Sequence, residues 1–290
     1  MNLISATPFI PHSFEEIDGV YPAGAMPELV YDQYVKKCQT LDNVELLRIE
    51  YESDGLRVNG LMALPKHIQP GNHPLVLYNR GGFRRYGMLT AHSAMRNLVP
   101  FAEQGYMAVA SNYRGNDGGE GEDHFAGDDV RDVLNLLALA KQHEAWDGAN
   151  SYIIGHSRGG MMTLRALAEG AEVNAAISIA GLTDLMIGGE ESWRGFLKYL
   201  PKAEQQHPEA MLKKRSAAHW PEKLDVPLLL MHGDEDDVVV HAHSERLHDV
   251  LDKHKHPHEL VIYPGGNHAL VRQWDDVLKR SAEWMERYAA

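Results

Sequence analysis

From Pro74 onward the chain alternates short continuous apolar runs with segments of amphipathic helical period, and few architectures accept that pattern. The runs are Leu75–Tyr78, Met107–Ala110, Tyr152–Ile154, Ala175–Ile179, Pro227–Met231 and Leu260–Tyr263. Helical candidates fall between and after them, over Ala91–Gln104, Asp128–Gln142, Met161–Ala168, Ser244–His254 and Val271–Tyr288. In the second of these, Val130, Val133, Leu134, Leu137 and Ala138 share one face. Apolar runs without alternation are strands covered on both faces, so the pattern predicts an α/β fold with a mostly parallel central sheet of about eight strands. Two further strands, Glu45–Tyr51 and Arg57–Leu64, precede it, joined through the hairpin chemistry of Ser53-Asp54-Gly55.

One domain over residues 41–290 follows, with a short helical insert near 181–216. Residues 1–40 read as an extension packed on the domain, irregular at first and then helical from Glu28 to Cys38. With 44% hydrophobic and 24% charged residues, the 290-residue chain has the balance of a globular enzyme. Its net charge of −13 excludes a phosphate-neutralising surface and disfavours an anionic membrane as partner. The single cysteine, Cys38, cannot close an internal disulfide. No stretch approaches the roughly 20 apolar residues of a membrane span, and the start lacks the pattern of a secretory signal. A cytoplasmic protein with no nucleic-acid or membrane partner is expected; the oligomeric state is left open.

The sharpest local signal is Gly155-His156-Ser157-Arg158-Gly159, a G-x-S-x-G segment directly after an apolar strand and directly before a helix. The serine of such a segment occupies a tight strand-to-helix turn, and the flanking glycines let strand and helix approach. Ser157 is therefore the candidate nucleophile, at a helix N-terminus that favours developing negative charge.

A serine hydroxyl needs a positioned base, and the base needs an acid to fix its tautomer. In this strand–turn–helix setting the chain order is Ser, acid, His. Downstream, the strand ending in Met231 runs into His232-Gly233-Asp234-Glu235-Asp236-Asp237, and the strand ending in Tyr263 runs into Pro264-Gly265-Gly266-Asn267-His268. The acid thus lies among Asp234, Asp236 and Asp237, with His268 as base. His232 is expected to fill space beneath the loop.

These segments resemble the catalytic domain of the prolyl oligopeptidase family and its esterase and dienelactone-hydrolase-like relatives. So do Tyr113-Arg114-Gly115-Asn116 and Gly181-Leu182-Thr183-Asp184. The resemblance covers roughly residues 45–288. It implies the α/β-hydrolase fold, Asp236 as the acid of an H-G-x-x-D segment, and His268 as the base closing a G-x-x-H segment. Asp236 follows Ser157 by 79 residues and His268 follows Asp236 by 32, as the resemblance implies. The residues before Leu75 are too few for propeller blades of roughly 40 residues each, so no β-propeller is expected.

The oxyanion of a tetrahedral intermediate requires two donors. One is the Arg158 backbone N–H; the other falls in Asn79-Arg80-Gly81-Gly82-Phe83, at Gly82 with Gly81 or Phe83 as alternates. The resemblance implies His-Gly-Gly here, and this chain has Arg80 in place of the His. Arg80, Arg84, Arg85 and Arg158 together could attract a substrate anion, against the plainer expectation that they pair with acids such as Glu120, Glu122 or Asp123. Candidate substrate-binding residues are Arg80, Phe83, Trp193 and Phe196, with Tyr199 and Leu200 alongside. An insert helix that simply packs on the domain explains the aromatics equally well. Glu190-Glu191 reads as a solvated helix start.

His241-Ala-His243 and His254-Lys-His256-Pro-His258 lack the carboxylate or cysteine spacing that completes a zinc set. They read as surface histidines; no metal and no cofactor are expected. The expected activity is hydrolysis of small soluble carboxylic esters through an acyl-enzyme. The alternative is a peptidase or amidase on short peptides, so the partner is a small ester or a short peptide. A non-catalytic ligand-binding protein on the same fold is the rival from another class.

Overall fold

The first strand is one that the sequence does not announce. In the computed structural model, which describes residues 2–9, 36 and 41–290, β1 (Leu3–Pro8) pairs antiparallel with β2 (Val44–Ser53). Its side chains stay largely exposed, so backbone bonds to one neighbour hold it and no apolar alternation marks it. That is why residues 3–8 read as irregular. The helix expected over Glu28–Cys38 falls outside the described residues, Lys36 excepted.

The expected hairpin forms between β2 and β3 (Leu56–Pro65), with Ser53 opposite Leu56. Asp54 and Gly55 make the turn with φ of 52° and 79°, the paired positive values that match strand twist. The apolar runs then become β4 (His73–Asn79), β5 (Met107–Ser111), β6 (Trp146–His156), β7 (Ala175–Ile179), β8 (Leu228–Gly233) and β9 (His258–Tyr263). Among the described residues one nine-stranded sheet results, in the order β1-β2-β3-β5-β4-β6-β7-β8-β9. The β1–β2, β2–β3 and β3–β5 pairs are antiparallel; β4–β5, β6–β7, β7–β8 and β8–β9 are parallel. Every residue of β5, β7 and β8 is buried, the condition that erases alternation from the sequence.

Among the described residues from 41 onward the helices are α1 (Ala91–Asn97), α2 (Val99–Glu103), α3 (Val130–Ala140), α4 (Arg158–Ala168), α5 (Gly189–Arg194), α6 (Pro208–Lys214), α7 (Ala242–Lys253) and α8 (Trp274–Arg287). The single helix expected over Ala91–Gln104 is two, because Pro100 has no N–H for the carbonyl four residues back. No helix among the described residues is long and apolar enough to cross a membrane.

The chain divides into two units, Met1–Asp123 with Arg131–Ser151, and His124–Val130 with Tyr152–Ala290. In the first, Arg114 donates through its backbone N–H (2.7 Å) and its guanidinium to Asp132 of α3, and reaches Asp54 at 3.0 Å. In the second, buried Arg215 donates to the carbonyls of His124, Phe125 and Met211 and pairs with Glu204. The helical insert, here α5, short 3-10 turns and α6, is thereby tied to the 124–130 segment.

Candidate active site

Strand β6 ends at His156, and α4 begins at Arg158. Ser157 sits alone between them with φ 59° and ψ −125°, a left-handed conformation that a β-carbon makes costly. Close packing holds it there. A β-carbon on Gly155 would stand 2.0 Å from the Gly159 carbonyl oxygen and 2.6 Å from Thr163 Oγ1. The Ser157 N–H donates to the Ile179 carbonyl at the end of β7. A strand end, a glycine and a helix start thus present Ser157 half-exposed.

Two loops of the same unit bring their side chains to it. His268 Nε2 lies 3.0 Å from Ser157 Oγ, so the hydroxyl donates to a ring nitrogen that can accept. His268 Nδ1 donates to Asp236 Oδ2 at 2.8 Å. Of the three carboxylates in that loop, Asp236, the one the resemblance implies, reaches the imidazole. Asp234 is exposed and accepts from the Gly265 N–H, and Asp237 is exposed.

Asp236 is held by more than its partner ring. Its Oδ1 accepts from the backbone N–H groups of Val238 (2.9 Å) and Val239 (2.8 Å), and its Oδ2 also accepts from His232 Nε2 at 3.1 Å. His232 is fully buried; its Nε2–H is shared with the Val239 carbonyl, and Nδ1 accepts from Ser244 Oγ. The residue expected only to fill space therefore donates to the carboxylate. Burial works against ionising Asp236, but the bonds from His232, His268 and Val239 outweigh it and hold the carboxyl well below the usual range.

His156, the variable residue inside G-x-S-x-G, was not singled out by sequence reasoning. Its Nε2–H donates to the His268 carbonyl at 2.8 Å, and the two rings stand 4.9 Å apart. A polar residue next to Ser157 was its only sequence signal. Phe125 and Asp129 were also missed. The Arg158 guanidinium, buried, pairs with Asp129 and lies over the Phe125 ring at 5.1 Å. Phe125 in turn stacks on Tyr199 (4.8 Å) and Phe196 (6.1 Å). An aromatic wall thus backs the residue that follows Ser157, and its insert contribution, Phe196 with Tyr199, is the one the sequence offered. Trp193 belongs to α5, and its side chain lies outside the described residues. Glu190 pairs with Arg194 on that helix's exposed face.

The remaining expected residues belong to the first unit. Arg80 is buried, and its guanidinium is spent on main-chain carbonyls: Asn112 from Nε and Nη2, Gly81 and Tyr86 from Nη1, Arg84 from Nη2. It also stacks over Tyr113 at 5.0 Å. Bonded in this way, Arg80 is a strut for the 81–86 loop. Gly82, at φ 74°, is pressed so closely that a β-carbon would meet the Tyr86 carbonyl oxygen at 2.1 Å. Phe83 is half-buried with Arg84 above its ring.

The histidine pairs read as surface features are not all at the surface. His243 is buried, its Nδ1 accepting from the backbone N–H groups of Thr183 and Asp184, and burial followed by the nearness of His232 pushes its pKa down to about 4.

This topology is that of the α/β-hydrolases: an acylaminoacyl peptidase structure from Pyrococcus horikoshii superposes with a TM-score of 0.72 at 21% identity, over 90% of this chain and 43% of that one. The profile of the prolyl oligopeptidase family (peptidase S9) matches residues 92–290, and the chain belongs to that family of serine hydrolases. An uncharacterized peptidase of Bacillus subtilis, YtmA, is 32% identical over 84% of this chain and 94% of its own length. Dipeptidyl-peptidase 5 of Porphyromonas gingivalis is 24% identical over 96% of this chain, which spans only 43% of that protein.

Proposed function

We propose that this serine hydrolase is a peptidase acting on short peptides, with Ser157 as nucleophile, His268 as general base and Asp236 as its orienter. The hydrogen-bonded order Ser157–His268–Asp236, at 3.0 and 2.8 Å, is the observation that carries the reading. His268 takes the Ser157 proton as Oγ attacks the scissile carbonyl carbon, then gives it to the departing amine. Water, deprotonated by the same ring, then cleaves the acyl-enzyme. Asp236 stays ionised throughout, fixing the tautomer and stabilising the imidazolium. The Arg158 N–H, at the start of α4, is one oxyanion donor; the second is assigned to the Gly82 loop from the sequence. Each is worth about 3–4 kcal/mol in the transition state.

The peptidase names of the relatives turn the order of the two readings: the small esters expected from the sequence become the second substrate class, sharing the same serine. The aromatic wall of Phe125, Phe196 and Tyr199 suits an apolar side chain next to the scissile bond. The test is a panel of aminoacyl, N-acyl-aminoacyl and dipeptidyl p-nitroanilides beside p-nitrophenyl esters of varied chain length. Turnover of anilides supports the peptidase; turnover of esters alone returns the esterase. Labelling by a fluorophosphonate that disappears in Ser157→Ala supports the nucleophile, and a folded native chain that fails to label favours the binding protein.

A further inference from the structure

We propose that His248, Asp252 and His258 form a divalent-metal site of the zinc type, joining the last turns of α7 to the first residue of β9. His248 and Asp252 are four residues apart on α7 and so share a face. His258 opens β9 and is brought to that face by the turn between them. Their ligand atoms all lie within 4.8 Å of one another. His248 Nδ1 stands 2.8 Å from His258 Nε2, and Asp252 Oδ1 stands 3.7 Å from the same nitrogen. Those spacings bracket the about 3.3 Å between donor atoms of a tetrahedral ion with bonds near 2.0–2.1 Å.

The hydrogen-bond inventory points the same way. His258 Nδ1 donates to the His256 carbonyl at 2.7 Å, so Nε2 of the neutral ring is an acceptor through its lone pair, and it takes the hydrogen of His248 Nδ1, which an ion bound between the two rings would displace. That is the usual outer arrangement of a metal-binding histidine: one nitrogen pinned on a carbonyl, the other aimed at the ion. The His258 side chain is only 4% exposed, so this aim is fixed by packing. A carboxylate oxygen facing that lone pair is electrostatically poor alone and favourable around a cation. Asp252 at 65% and His248 at 36% exposure leave the fourth position open to water.

Two imidazoles and a carboxylate are a set that suits Zn2+ among the first-row ions. Along the chain His258 stands with His254 and His256; the fold pairs it with α7 instead. The site stands at the opposite end of β9 from the His268 loop, so its role is to pin helix to strand, independent of the proposed peptidase reaction.

The full-length chain, stripped of metal by a chelator, is titrated with Zn2+ by calorimetry, with Tm followed in parallel. One equivalent is expected to bind, to raise Tm by several degrees, and to lose at least about tenfold in affinity in His248→Gln, in Asp252→Asn and in His258→Gln. His248→Gln, on the more exposed ring, guards against a folding defect, and the metal-free Tm of each variant checks it. His241→Gln, in a two-residue His241–Glu245 pair of the same helix, is expected to keep the site. Weak multi-equivalent binding, or one tight equivalent that survives His248→Gln together with His258→Gln, would overturn the proposal, as would an equal loss in His241→Gln.

Discussion

Asp236 and Asp252 each stand beside two histidines of the same unit, and their surroundings differ at every point that matters. Asp236 has a fully buried side chain with four donors aimed at its two oxygens, two from rings and two from the main chain. Asp252 is 65% exposed, with both neighbouring rings at 3.7 Å. Saturating a carboxylate with donors inside the protein keeps it charged and immobile, which suits a group that must orient a base through a reaction. Leaving a carboxylate open, near lone pairs rather than hydrogens, suits a group that waits for a cation. The same residue types therefore support opposite chemistry according to where the hydrogens lie.

That contrast can be broken or sharpened by measurement. The largest effect belongs to the group the buried carboxylate serves: Ser157→Ala should lower kcat by roughly 10^6 while leaving Tm nearly unchanged. Next, Asp236→Asn should cost roughly 10^4 in kcat, because an amide can hold the ring but favours the wrong tautomer. A loss under tenfold would place Asp236 in a merely structural role and collapse the comparison. His232→Gln probes the donor behind the carboxylate. A hydrogen bond to a charged group is worth about 1.5–3 kcal/mol, so kcat/KM should fall roughly 10- to 100-fold, and the acid limb of the pH–rate profile should move if Asp236 is less firmly ionised.

The smallest effect concerns stability and a third histidine environment. His243 is protonated near 6.5 when unfolded and only near 4 when folded, so between those values the unfolded chain holds more protons and stability falls as pH falls. The slope is at most about 1.4 kcal/mol per pH unit and should flatten in His243→Gln, read from urea midpoints across pH 7 to 4. Below the ordinary carboxylate range a further loss sets in. Asp236, whose pKa is depressed on folding, contributes stability above its unfolded value and loses it as protonation approaches; Asp236→Asn should lack that limb.

Much of the site could be read in order along the chain, because each element carries its own local reason. Gly155 and Ser157 announce a strand-to-helix turn through sterics alone, and the apolar runs before His232 and before Pro264 mark where strands deliver their loops. What escaped has no local signature. β1 buries nothing, so nothing in its side chains marks it. Pro100 was visible, yet its effect on one helical pattern is a matter of which carbonyl loses its donor. For Arg80 the sequence offered nearby acids or a substrate anion, since charge is visible in a sequence and five hydrogens bonded to main-chain carbonyls are not. His243 and His258 looked like surface residues because histidine's composition is silent about burial.

The amino-acid sequence by itself determined the layered α/β plan, the turn that exposes Ser157, and the strand ends that carry the Asp236 and His268 loops after it, since periodicity, glycine sterics and strand ends are properties of neighbouring residues. The reach of Asp236, rather than Asp234 or Asp237, to the imidazole was implied by resemblance and not by the residues themselves; the donors of His232 and His156, the aromatic wall on Phe125, and the meeting of His258 with His248 and Asp252 were decided only by tertiary structure. Those depend on distances between residues far apart in the chain, and a hydrogen bond or a metal ligand set exists only when such distances are met to within a few tenths of an ångström.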